Sequence, residues 1–138
     1  MKKTILLVIG ILLLTSLTYA GDSYYIQNTP SGITSEKAPI KFSDPEKGIS
    51  AAVVDKMGYE MAVYKFAPNS SMEVHAAETQ WVAFHVSGTV KLTLAGKDKK
   101  VTSTLDLKPG DIYVFEADTF HGWQVGDEEW VSVWIRKK

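Results

Sequence analysis

Three histidines are all the chain holds, and two of them mark the segments most suited to chemistry. His75 opens the stretch HAAETQWVAFHVSG, which ends at Gly88 and contains His85. His121 closes the stretch PGDIYVFEADTFH, which begins at Pro109. Imidazole changes charge near neutral pH and is the commonest metal ligand among side chains. Two such residues far apart in sequence, each flanked by alternating apolar residues and turn glycines, imply a β-barrel with a polar site inside. Other chemistries lack their signals. There is no cysteine, which excludes disulfides, zinc thiolate sites and thiol nucleophiles. No glycine-rich phosphate loop and no GxSxG elbow is present.

The elements that must position these histidines are strands. Residues 50–55, 59–66, 81–86, 89–94, 101–107, 112–115, 122–125 and 130–135 are rich in β-branched and aromatic residues. They are separated by turn signals such as Met57-Gly58, Pro68-Asn69-Ser70-Ser71, Gly96-Lys97-Asp98 and Pro109-Gly110. No stretch after the N-terminus shows apolar residues at helical spacing. Eight short strands at close intervals predict an antiparallel barrel or sandwich. Trp81, Tyr113, Phe115, Phe120, Trp123, Trp130 and Trp134 supply the bulk of its core.

The N-terminus reads as a separate segment. Met1-Lys2-Lys3 is basic, Thr4 to Leu17 is apolar, and Thr18-Tyr19-Ala20 offers small residues before a cut. This is the pattern of a secretory signal peptide over residues 1–20, and it predicts a periplasmic or secreted protein without a membrane segment after cleavage. Removing it leaves 13 basic against 16 acidic residues, a net charge of −3. A mildly acidic domain without basic clusters gives no case for nucleic acid. Residues 21–48 are rich in Ser, Thr, Pro and Gly. They read as an irregular arm, with a short strand at Pro39 to Phe42, that either trails loosely or covers a sheet edge of this or a partner subunit. Residues 49–138 form the barrel domain.

The segments Pro68–Gly88 and Leu107–His121 resemble the two motifs of the cupin superfamily. Gly88 closes the first motif. His75 then falls on its first histidine position, Ala77 on its second and Trp81 on its glutamate position. In the second motif Gly110 and His121 keep their places, while Glu116 stands where proline is usual. The resemblance covers about Ile49 to Ile135. It implies an all-β fold, a single conical jelly-roll β-barrel of antiparallel sheets. It also implies an interior divalent metal (iron, zinc, manganese, nickel or copper) held by His75 and His121, with no organic cofactor. Glu78, Gln80 or His85 would have to complete the ligand set, because Ala77 and Trp81 cannot. Glu73 shares the face of His75 if that stretch is regular, and His85 shares the face of Trp81 and Ala83. All three histidines then point into one cavity. For His85 the alternative is an ordinary strand histidine paired to a backbone carbonyl.

Two functions compete on these residues, beside a third reading as a structural or interaction protein whose barrel interior is simply packed. One is a metal-dependent oxygenase, isomerase or lyase acting on a small organic molecule. The other is a metal-free binding module for a carbohydrate or organic acid, with Trp81, Trp123 and Tyr113 as stacking walls. A homodimer paired through sheet edges is compatible with either.

Overall fold

The computed structural model describes residues 22–138, and the expected signal segment lies outside them. The described residues form two compact units that divide after Ile40. The first is a hairpin. Its strands β1 (Asp22–Thr29) and β2 (Gly32–Pro39) pair antiparallel along their whole length, from Asp22↔Pro39 to Thr29↔Gly32. The arm expected to be irregular is therefore largely paired strand. Tyr24, Tyr25 and Ile26 are strand formers, and so are Ile33 and Thr34, with Pro30-Ser31 as a two-residue loop between them. The strand expected at Pro39–Phe42 lies instead at β3 (Ser43–Glu46), beyond the boundary between the units.

The second unit is the barrel. After β3 come β4 (Ile49–Lys56), β5 (Tyr59–Phe66), β6 (Ser71–His75) and β7 (Trp81–Ser87). Then follow β8 (Val90–Ala95), β9 (Val101–Leu107), β10 (Ile112–Phe115), β11 (Phe120–Val125) and β12 (Trp130–Lys137). They form a six-stranded sheet in the order β10-β7-β12-β5-β4-β3 and a four-stranded sheet in the order β6-β11-β8-β9. Every pairing is antiparallel. The expected strands are present. β6 lies outside the expected strands, because the loop signal of Asn69 and Ser70 hides its start.

Alternation sets what lies inside. On β12, Trp130, Ser132 and Trp134 are buried while the residues between them are more exposed. Phe66, Ala83, Val90, Leu92, Phe115, Trp123 and Val125 complete the core with the two tryptophans. Phe66 stacks on Trp130 at 4.3 Å, and Phe115 lies parallel to Trp134 at 5.6 Å. Ser132 is fully buried among them, and its hydroxyl donates to the Phe84 carbonyl at 2.9 Å, which removes the penalty for an unpaired polar group.

The β4–β5 hairpin turns on Met57-Gly58, both at positive φ, 59° and 78°. Both central residues of a type I′ turn need that conformation, which suits the right-handed twist of the strands and strongly favours Asn-Gly. Met57 pays a steric cost there and its side chain is exposed. Met57→Asn should stabilise the protein by about 1 kcal/mol, read as a higher melting temperature. An unchanged or lower value would contradict the turn assignment.

Candidate functional site

The two histidines meet because their strands are neighbours. In the β6–β11 pairing His75 lies directly across from His121. Their rings are 4.7 Å apart at 52°. The register then slips, so that Trp123 faces Met72 and the single residue Gly122 spans both Glu73 and Val74. This is a β-bulge, and it reverses the alternation along β6. Met72 and His75 thus both turn inward although they are three residues apart, while Glu73 is exposed. The expectation that Glu73 shares the face of His75 fails for that reason. Gly122 makes the bulge possible, since a Cβ there would lie 2.7 Å from the Met72 carbonyl oxygen and 3.1 Å from the Val74 nitrogen.

His75 and His121 line a cavity of about 170 Å³. The six-stranded sheet contributes Ile49, Tyr64, Phe66, Trp81 and Trp134 to its wall. The other sheet contributes Met72 and Trp123, and the loop after β6 contributes Ala77. Its polar groups are few and its surface is chiefly aromatic. Trp81 and Trp123 were expected in the wall. Trp134 was expected as core rather than wall, and Tyr64, Phe66 and Met72 were not singled out, although the alternation of β5 marks Tyr64 and Phe66 as inward. Trp81 is held from behind. The Arg136 guanidinium lies 4.7 Å from its ring centre, pairs with Glu60 at 2.9 Å and reaches the Thr79 hydroxyl at 3.4 Å.

Both histidines are fixed by backbone. The Nδ1 of His75 lies 3.0 Å from the Glu73 carbonyl oxygen, and the Nδ1 of His121 lies 2.8 Å from that of Thr119. A carbonyl only accepts, so each Nδ1 carries the proton and donates it, leaving Nε2 with its lone pair. His121 is 2% exposed. Burial pushes its pKa below the ordinary 6.5, the hydrogen bond to Thr119 opposes this, and the proximity of His75 adds to the lowering. His121 is therefore a neutral imidazole at neutral pH.

The remaining expected site residues lie elsewhere. His85 does point inward with Ala83, but away from this cavity. Its Nε2 bonds the Gly88 carbonyl at 2.9 Å and its ring meets Trp130 at 6.0 Å. Glu78 and Gln80 are exposed in the loop between β6 and β7. Tyr113 belongs to the core. Its hydroxyl lies 3.3 Å from Ser132, and burial raises its pKa to about 12. The three histidines thus do not converge. Among the described residues no group of three His, Cys, Asp or Glu side chains could hold a metal ion. The donor set is two imidazoles. Ala77 and Trp81, on the other two motif positions, both line the cavity and bring no donor. A resident divalent ion takes three or four protein ligands, so these residues do not fit one.

No sequence-family model and no curated protein sequence matches the chain. Solved structures do. KdgF from a Halomonas species is 22% identical with a TM-score of 0.59, over 69% of this chain and 84% of that one. An RmlC-like cupin from Shewanella frigidimarina is 15% identical with a TM-score of 0.59, over 70% and 81%. Oxalate decarboxylase from Lactobacillus farciminis, solved as a formate complex, is 18% identical with a TM-score of 0.60. There the match spans 72% of this chain and 30% of that one. The fold is that of the cupins. As a cupin barrel it carries its histidine pair on the β6–β11 seam, inside the jelly roll.

The lowered pKa of His121 has a consequence for stability. The unfolded chain takes up a proton at this residue near pH 6.5, and the folded cupin barrel does so only at lower pH. Between those values the unfolded state binds more protons, so acid favours it. The contribution of His121 is full above pH 6.5 and drains away as pH falls. The melting temperature should drop on acidification below that point, and less steeply in His121→Gln. Identical pH profiles for the two proteins would refute the assignment.

Proposed function

We propose that this cupin-fold protein binds a small, mainly apolar molecule without a metal, and that the Nε2 of His75 or of His121 accepts a hydrogen bond from it. The observation that carries this reading is the pair of imidazoles, each tied to a backbone carbonyl through Nδ1 and with Nε2 left for a ligand, in an aromatic-walled cavity. Size narrows the ligand. An apolar cavity of about 150 Å³ takes benzene, so about 170 Å³ suits a single ring or a short branched chain. Chemistry narrows it further. Two acceptor nitrogens on adjacent rings suit a hydroxyl or amine donor and repel a carboxylate. A sugar brings more hydroxyls than this wall can pair, and each unpaired one is costly to bury. A phenol or a comparable small alcohol satisfies both limits. Export through a cleaved signal peptide, with a periplasmic or extracellular ligand, belongs to the same proposal.

Calorimetric titration with phenol, benzene and benzoate tests it. Phenol should bind most tightly, with an advantage of about 5–10-fold over benzene for one hydrogen bond. A strong chelator should leave its binding unchanged. Ala77→Leu should block binding by filling the cavity while both histidines stay in place. Loss of phenol binding on chelation, or preference for benzoate, would overturn the proposal.

A further inference from the structure

Among the described residues that line the cavity, Tyr64 alone carries a hydroxyl. It stands on β5 in the six-stranded sheet, whereas His75 and His121 stand on β6 and β11 in the other sheet. The cavity therefore has polar groups on both of its facing walls. Alternation along β5 sets this up, since Glu60, Ala62, Tyr64 and Phe66 share the inward phase. Packing fixes the ring of Tyr64, which meets Trp134 edge-on at 6.1 Å and Phe66 at 5.9 Å. The hydroxyl is left over. No described residue forms a hydrogen bond with it, and it is not sealed in the core as the indole nitrogen of Trp134 is. Tyr113 shows the contrast, because Ser132 takes up its hydroxyl at 3.3 Å. A hydroxyl reachable from the cavity and spoken for by no neighbour is a group for a ligand to satisfy.

We propose that Tyr64 sets the specificity of the cavity by donating a hydrogen bond to a neutral oxygen at the end of the ligand away from the histidines. This inference rests on the reading of the cavity as a site for a small hydroxylated molecule. Two observations favour a neutral oxygen. The first is the state of the hydroxyl. Burial raises the pKa of Tyr64 above its ordinary 10, Glu60 adds to the rise and Arg136 opposes it. The hydroxyl therefore keeps its proton at neutral pH and is a donor. The second is the charge around it. Glu60 and Arg136 already pair with each other at 2.9 Å, and the guanidinium lies against Trp81. With those charges matched, nothing at this end favours a carboxylate or an ammonium over a carbonyl, ether or hydroxyl oxygen. The ligand class narrows to a ring with a hydroxyl at one end and a second neutral oxygen across from it. An analogue without that oxygen leaves the Tyr64 hydroxyl unpaired in a closed complex. Stranding a polar group costs more than the bond itself contributes, and that difference is what lets Tyr64 discriminate.

Calorimetric titration of the full chain and of Tyr64→Phe with para-hydroxybenzyl alcohol and para-ethylphenol tests the inference, with circular dichroism to verify folding. The two compounds share the phenol and nearly the same shape, and differ in a terminal hydroxyl against a methyl group. The wild-type protein should bind the alcohol at least as tightly as para-ethylphenol. Tyr64→Phe should weaken the alcohol by about 10-fold and leave para-ethylphenol unchanged or tighter. Equal effects of the variant on both compounds would overturn the inference, because they would report the ring and not its hydroxyl. A clear wild-type preference for para-ethylphenol would overturn it as well, and that comparison stands even where Tyr64→Phe does not fold. Binding of phenol but of neither larger compound would sink this inference alone. Binding of none of the three would remove the reading of the cavity on which it rests, and the inference with it.

Discussion

Antiparallel pairing of β6 with β11 is the contact on which the site depends. It sets His75 across from His121, and it contains the bulge that turns Met72 and His75 to the same side. A regular ladder in this position would carry Glu73 inward with His75 and give the cavity a carboxylate. The bulge sends that carboxylate to solvent and replaces it with a thioether. One glycine permits this, because only a residue without Cβ can lie against the Met72 carbonyl. A single backbone irregularity thus decides whether a carboxylate or a thioether faces the cavity.

The walls of that cavity are also the core of the barrel. Trp134 contacts Phe115, Trp123, Trp81, Tyr64 and Tyr113 at centroid distances of 5.6 to 6.1 Å. Each such pair contributes about 0.5–1.5 kcal/mol beyond simple burial. The residues a ligand would touch therefore also carry much of the stability, and they sit on strands rather than loops. Rigid walls keep the cavity open without a ligand and lower the ordering cost of binding one. The Arg136–Glu60 pair extends this rigidity to Trp81 at the margin.

Backbone carbonyls complete the chemistry. By accepting from Nδ1 they choose the tautomer of both imidazoles, and burial keeps His121 uncharged. The cupin fold supplies the seam on which the two rings meet. What the rings can do follows from their neighbours, and function resides in such sites rather than in the fold that bears them.

Much of this was legible in the chain itself. Alternating apolar residues and frequent turn signals determined an antiparallel all-β barrel, because period-two patterning is a local property of strands. The spacing of His75, Gly88, Gly110 and His121 located the site, and Ala77 and Trp81 announced that its ligand set was altered. Other features were decided only by tertiary structure. The bulge opposite Gly122 comes from register between strands 46 residues apart in sequence, which no local pattern records. His85 has the inward phase of a site residue, yet its height along β7 places it on Trp130 and the Gly88 carbonyl instead. Tyr113 likewise differs from Trp81 and Trp123 in depth rather than in residue type. Residue type and phase are written in sequence, whereas height and convergence arise only when separate strands are aligned against one another.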